Sequence, residues 1–312
     1  MDSEFKYSDA DISEAIKAIA GDLNVYVNLL TDFGFKRVFG IKEVMLHFLN
    51  TVLDIEGGIT DLTYANTEIL GLTKEDRKAI YDFFCVTGKG ERIIVEMQTI
   101  EQEHFKDRVL FYASLLIQEQ NIKGKIKEDG KEKDWNFMLQ PVYSVNILNF
   151  SLNEDVKTDK YASYVQLMDR DTKELFFDKL TFVYIELPRF TKELNEITTI
   201  FELWIFIIKR LHELQNLTEE LQNEIFEKVC EIAKIAKMNK DEVYKYIKSL
   251  YDMNIVQNEI RRRDKTIEVI SAERDDARVV IEEQGNIIAL QVNTIAQKDK
   301  EIAEYRRLLG LK

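Results

Sequence analysis

The stretch from Ile80 to Gln98 constrains this chain more than any other. It reads IYDFFCV, then TGKGE, then RIIVEMQ. Two apolar runs rich in β-branched and aromatic residues flank a short glycine-containing turn, the signature of a β-hairpin. With Gly88-Lys89-Gly90 as the loop, Thr87 pairs with Glu91, Phe84 with Ile94, and Asp82 lies opposite Glu96. Paired residues of an antiparallel ladder point to the same face, with Cβ atoms roughly 4.5–5.5 Å apart. Gln98, two residues beyond Glu96, shares that face. Register is decisive, because a loop one residue longer or shorter would send the two carboxylates to opposite faces.

Two carboxylates opposed inside an otherwise apolar hairpin repel each other and lose hydration. A divalent cation between their oxygens would compensate. So would a lysine or a helix N-terminus meeting one of them, and a slipped register would remove the opposition. The residues alone leave all three open. The other face of the hairpin, with Tyr81, Phe83, Cys85, Ile93, Val95 and Met97, is apolar as well. A sheet apolar on both faces needs cover on both sides, which predicts an α/β arrangement.

An acid on one strand, a hairpin, and acid-x-Gln on the next strand resemble the PD-(D/E)XK nuclease superfamily. The closer likeness is to its branch of recombination-promoting nucleases and transposases, where glutamine often replaces the motif lysine. The resemblance continues through LLTDFGFKRVFG (Leu29 to Gly40), DLTYANTEILGLTKEDRKAIYDFFC (Asp61 to Cys85) and IVEMQ (Ile94 to Gln98). Beyond these come HFKDRVLFYASLLIQEQ (His104 to Gln120), QPVYSVNILNF (Gln140 to Phe150) and YIELPRF (Tyr184 to Phe190). Two positions depart from the pattern: Tyr81 rather than proline precedes Asp82, and Gln98 stands where the superfamily has lysine. The resemblance implies a restriction-endonuclease-like core, a mixed sheet flanked by helices. It implies Mg²⁺, or alternatively Mn²⁺, held by Asp82 and Glu96 with the Met97 carbonyl as a further ligand. It also leans Asp32 toward the catalytic centre, beside Asp82, Glu96 and Gln98.

Composition narrows the alternatives. A chain of 312 residues can hold one large domain plus an extension, and its two prolines argue against long disordered linkers. No run of about 18 apolar residues occurs, so no transmembrane helix is expected. The N-terminus, MDSEFKYSDADISEAIKAIA, lacks the basic-then-apolar start of a signal peptide. Cys85 and Cys230 are isolated, as expected of a reduced, cytoplasmic protein. His47, His104 and His212 form no metal-ligand spacing with each other or with the cysteines, which disfavours zinc. No G-x-x-x-x-G-K-[ST] loop is present, which disfavours a nucleotide hydrolase. The net charge of −13 lowers the expectation of tight non-specific DNA binding, although a local basic groove remains compatible with it.

Taken in order, residues 1–24 read as a helical lead-in. Asn28 or Thr31 caps the next helix, Gly40 divides two helices, and Gly57-Gly58 ends the second. Asp32 and Lys36, at i and i+4, share a helix face and pair. Asp61 to Leu70 is expected as a strand and Thr73 to Arg77 as an exposed turn. Helical spacing through Phe105, Val109, Tyr112, Leu116 and Gln120 brings Arg108 and Tyr112 toward the functional face of the hairpin. Residues 123–134 read as a charged loop. Lys36, Arg108, Lys123 and Lys125 are the candidates for contacts to DNA phosphates. Val142 to Phe150, Tyr161 to Leu167 and Thr181 to Leu187 read as strands, with Glu186 a strand-end charge or a third acid. Phe201 to Leu211, Ile225 to Ala236 and Val243 to Tyr251 read as amphipathic helices. The expected divisions are thus a lead-in at 1–24, a nuclease-like domain at 25–190, a helical subdomain at 191–252 and a coiled coil at 253–312.

That last segment repeats at an interval of seven: Met253, Ile260, Ile267, Arg274, Ile281, Ile288, Ile295, Ile302, Leu309. Isoleucines on one seam among mixed charges predict a coiled coil, hence a homodimer, with polar interruptions that weaken it or specify its register. A single helix folding back on its own domain is the alternative. The sequence reading is a Mg²⁺-dependent DNA endonuclease with a role in recombination or transposition. Its competitor is a catalytically weak DNA- or protein-binding module dimerised by the coil.

Overall fold

A computed structural model describes residues 25–69, 79–125, 136–152, 159–216 and 221–308. The expected lead-in, the turn at Thr73 to Arg77 and most of the charged loop lie outside the described residues. In chain order the elements are α1 (Asp32–Phe39), α2 (Lys42–Val52), β1 (Leu62–Tyr64), β2 (Glu68–Ile69), β3 (Ala79–Ile80), β4 (Phe83–Thr87) and β5 (Arg92–Gln98). They continue with α3 (Phe105–Lys125), β6 (Val142–Leu148), β7 (Ala162–Met168), β8 (Leu175–Glu186), α4 (Ile200–Arg210), α5 (Glu224–Ala233) and α6 (Lys240–Leu308).

Six strands form one mixed sheet in the order β1-β4-β5-β6-β8-β7. The β4–β5 hairpin is antiparallel, with Phe84 opposite Ile94 as the loop length predicts. Thr87 N donates to Glu91 O at 3.0 Å, and Gly90 turns the loop at φ +87°, a conformation that glycine adopts without a Cβ penalty. From β5 the chain crosses through α3 to β6, which pairs with β5 in parallel, as a crossover connection requires. β8 joins β6 in parallel, and β7 closes the edge antiparallel to β8.

Side-chain alternation gives the sheet two apolar faces, and both are covered. Phe83, Cys85, Ile93, Val95, Val145 and Ile147 lie in a core with α1, α2, α4 and α5. Phe84, Ile94, Val142 and Leu148 lie in a second core against Phe105, Val109, Ala113 and Leu116 of α3. The expected mixed sheet between helical layers is what the chain builds. Trp204 of α4 packs on Phe39 and Phe48 at 5.7 and 5.6 Å between ring centroids, so the helices after residue 190 share the core of α1 and α2.

Several boundaries differ from the sequence expectation. Asp61 to Leu70 is not one strand: β1 leaves the main sheet after Tyr64, and β2 pairs with β3 in a separate two-stranded sheet. Residues 123–125 belong to α3 rather than to a loop. α2 stops at Val52, several residues before Gly57 and Gly58, which turn the following loop at positive φ. α5 ends at Ala233, because Lys234 turns extended to bridge Tyr26 while Val27 N donates to Ala233 O at 2.8 Å. No glycine or proline marks that stop, so periodicity reads through it.

The chain divides into two compact units, Met1–Met253 and Asn254–Lys312. The segment from Val243 to Tyr251 is no separate helix but part of α6, which continues unbroken to Leu308. In the second unit Ile267, Ile281, Ile288, Ile295 and Ile302 are all exposed. Among the described residues, no helix is long and apolar enough to cross a membrane.

Candidate active site

The hairpin ladder ends at Phe83 opposite Val95, and the next pair outward is Asp82 and Glu96. There side chains take over from the ladder. Asp82 N donates to Glu96 Oε1 at 3.1 Å, and Met97 N donates to Asp82 Oδ2 at 2.8 Å. Each carboxylate is thereby fixed by the backbone of the opposite strand. Gln98 Nε2 donates to Glu96 Oε2 at 3.1 Å, on the face predicted for it.

Glu96 is only 6% exposed. Burial, then the charge of Asp82, push its pKa up to about 8. Burial also raises Asp82, against the pull of the Met97 amide and the Lys36 charge. Among the described residues neither carboxylate has a lysine or arginine within ion-pair distance. Two hard oxygen donors held together, Glu96 buried and Asp82 half-buried, with the Asp82 charge raising the cost of the Glu96 charge, fit a divalent cation with oxygen ligation. Among the described residues no group of three or more His, Cys, Asp or Glu gathers to hold a metal.

Cations approach from two helices. In α1, Thr31 Oγ1 accepts the Gly34 amide at 3.0 Å as N-cap, and Phe35 packs on Phe83 at 5.6 Å. Gly34 has no room for a side chain: a Cβ there would lie 2.2 Å from Asn28 O. This packing sets the helix turn carrying Asp32 and Lys36 beside the residue that precedes Phe83. Lys36 Nζ pairs with Asp32 at 2.6 Å as the i, i+4 spacing predicts. Burial works against the Lys36 charge, but Asp32 and then Asp82 and Glu96 outweigh it and raise its pKa. Asp32 itself is largely exposed and acts on Asp82 only as a distant like charge. A groove of about 770 Å³ extends from Lys36 along α1 and carries Arg37, Lys237 and Lys245. Arg37 is paired there with Glu242, and Lys237 with Glu231.

The other cation is Arg108 of α3. Its guanidinium lies 5.6 Å from the Phe105 ring centroid and 5.8 Å from that of Tyr112. Tyr81, adjacent to Asp82, packs edge-on to Tyr112 at 5.2 Å and donates its hydroxyl to Tyr112 O at 3.1 Å. Tyr81 thus occupies the proline position of the pattern and ties the hairpin to α3. Gln102, which bonds Arg108 Nη1, carries no signal in the sequence.

The sequence model of the PD-(D/E)XK nuclease family transposases matches residues 29–284, which includes the hairpin and both flanking helices. The chain belongs to this family. No curated protein and no solved structure matches it.

Within this family member, the predicted site residues fall into three groups. Asp82, Glu96, Gln98 and Met97 are brought together at the end of the hairpin. Lys36 and Arg108 stand around them, with Asp32 paired to Lys36. Lys123 and Lys125 lie at the far end of α3, about thirty ångströms along a helix that begins at Phe105. Glu186, left open as a third acid, is engaged elsewhere: it accepts from Arg189 Nε and Leu152 N, both at 2.9 Å. The Gln98 amide nitrogen gives one of its two N–H donors to Glu96.

Proposed function

We propose that this PD-(D/E)XK family member is a Mg²⁺-dependent DNA endonuclease, with Asp82 and Glu96 as the metal-binding carboxylates. The observation that carries it is the interlocked carboxylate pair, Glu96 buried and Asp82 half-buried, which lacks a counter-ion among the described residues. The Met97 carbonyl and waters would complete an octahedral shell around Mg²⁺, with Mn²⁺ as a substitute. The bound ion would supply an activated water and charge neutralisation at the scissile phosphate. The protein's own part is positional. Met97 N and Asp82 N hold the two carboxylates, Gln98 aims Glu96, and Asp32 steadies Lys36 for a DNA phosphate. Lys123 and Lys125 are proposed to track the backbone further along the duplex. The net charge of −13 does not oppose this, since phosphate contacts need only a local cationic surface.

Pairing of two copies through the tail accompanies this proposal. The exposed isoleucines of α6 recur every seven residues, and residues 255–312 carry 11 acidic and 11 basic side chains, so the tail bears no net repulsion. Two copies would supply one cleavage centre for each strand of a duplex. Light scattering is expected to give a dimer for the full chain and a monomer after deletion of residues 255–312. A full-length monomer at tens of micromolar would reject the pairing.

Nicking of supercoiled plasmid tests the chemistry: it is expected with Mg²⁺ or Mn²⁺ and absent in EDTA. The competing reading, a binding module with little catalysis, draws on Gln98 in the lysine position. Its signature is retained DNA binding with no metal-dependent nicking.

A further inference from the structure

Arg108 is held near the carboxylate pair without being paired to it. Its charge reaches both Asp82 and Glu96, yet among the described residues it makes no ion pair with either. Nη1 is bonded to Gln102, and Nε is buried without a hydrogen-bond partner. A buried guanidinium N–H left unmatched is costly, because the group forgoes its hydration. An arginine meant only to neutralise the acids would fork onto them in a bidentate pair. This one is fixed instead by flanking rings, those of Phe105 and Tyr112, and Tyr112 is in turn secured to Tyr81 next to Asp82. Lys36, the other cation in range among the described residues, is already bonded to Asp32 and half exposed.

We infer that Arg108 is a catalytic residue, its guanidinium binding the non-bridging oxygens of the DNA phosphodiester that sits at Asp82 and Glu96. This rests on the nuclease assignment and gives that site its substrate-binding cation, which the amide of Gln98 cannot be. In hydrolysis a water oxygen forms a bond to phosphorus as the bond to the ester oxygen breaks. The proton lost by the water and the proton gained by the leaving oxygen are exchanged with solvent. Arg108 takes no part in proton transfer, since guanidinium stays charged. It stabilises the negative charge that grows on the non-bridging oxygens while five oxygens crowd the phosphorus, with little reorganisation because the rings already hold it.

The test uses the full-length protein, Arg108→Ala and Arg108→Lys, with a labelled duplex and a supercoiled plasmid. In EDTA, where nothing is cut, Arg108→Ala should reduce the slope of log affinity against log salt by about 0.9, one phosphate contact. Arg108→Lys should keep the slope. In Mg²⁺ at saturating DNA, Arg108→Ala should lose roughly 100-fold or more in nicking rate, and Arg108→Lys should recover part of it. Stabilisation by Mn²⁺ in a melting experiment should persist in both, which separates phosphate binding from damage to the metal site. Wild-type slope and wild-type nicking in Arg108→Ala would overturn the inference while leaving the nuclease assignment intact. A wild type that binds but never nicks would reject the nuclease assignment, and with it the catalytic role of Arg108. If Arg108→Ala does not fold, Arg108→Lys decides: an unchanged nicking rate refutes the need for the fork, and a lowered one with an intact slope supports it.

Discussion

Glu96 and Glu202 are equally buried, at 6% and 5% exposure, and their surroundings do opposite things to them. Glu202 stands in the first turn of α4, where the helix N-terminus favours an anion. It accepts from Lys192 Nζ at 2.5 Å, Tyr161 Oη at 2.9 Å, Thr198 N at 2.9 Å and Thr198 Oγ1 at 3.1 Å. Burial works against its charge, but these four donors prevail and bring its pKa down to about 2. Among the described residues Glu96 has two donors, no cation in contact, and Asp82 as its neighbour, and its pKa moves up to about 8. Burial of a carboxylate therefore does not by itself mark a site. What separates the two is whether the described residues bring a cation into contact with the carboxylate, as around Glu202, or do not, as around Glu96.

The sharpest way to break this comparison is cleavage. Glu96→Gln and Asp82→Asn should each lower metal-dependent nicking by roughly a thousandfold or more, since a metal ligand is lost. Glu202→Gln should leave the rate per folded molecule unchanged. Equal nicking by the wild type and the two site variants would place the activity elsewhere.

Stability should show the reverse order. Glu202→Gln should destabilise the fold by about 1–3 kcal/mol in urea titrations, because the Lys192 and Thr198 donors lose a charged acceptor. Without metal, Glu96→Gln should melt at the same temperature as wild type or higher, because it relieves a like-charge contact. A Glu96→Gln variant that melts well below wild type in EDTA would make the pair a structural element.

The two acids should also give stability opposite pH slopes. Glu96 binds its proton more tightly folded than unfolded, so its contribution falls as pH rises from its ordinary 4.5 toward about 8. Glu202 binds its proton less tightly folded, so its contribution is full above 4.5 and is lost as pH falls toward about 2. Melting temperatures of metal-free wild type and Glu96→Gln between pH 5 and 9 check the first limb. A slope that survives Glu96→Gln unchanged contradicts it, and Mg²⁺ should flatten the wild-type slope.

The smallest effect is expected from Gln98→Lys. A cation beside Glu96 should draw its pKa back toward 4.5 and shrink the metal-free pH slope, while nicking remains measurable. Loss of nicking as complete as in Glu96→Gln would show that the Gln98 contact to Glu96 is indispensable.

Much of this molecule was legible in the order of its residues. Turn length and alternation along IYDFFCV and RIIVEMQ determine that Phe84 faces Ile94 and that both hairpin faces are apolar. The cap at Thr31 and the break at Gly40 arise from local chemistry in the same way. These are interactions among near neighbours in the chain, which period and turn length report directly. The end of α5 was not legible, because the partner that stops it, the strand segment at Tyr26, comes from about two hundred residues away. Nor was the fate of Gln98, whose amide had several acceptors within reach of its position. The sequence alone therefore determined that two acids would oppose each other on one strand pair. Only the tertiary structure decided that Glu96 would meet no cation among the described residues while Glu202 found Lys192. The reason is that, for an acid with no cation at helical spacing, counter-charge depends on which helices and loops the packed core brings within a few ångströms, a distance that chain spacing does not encode.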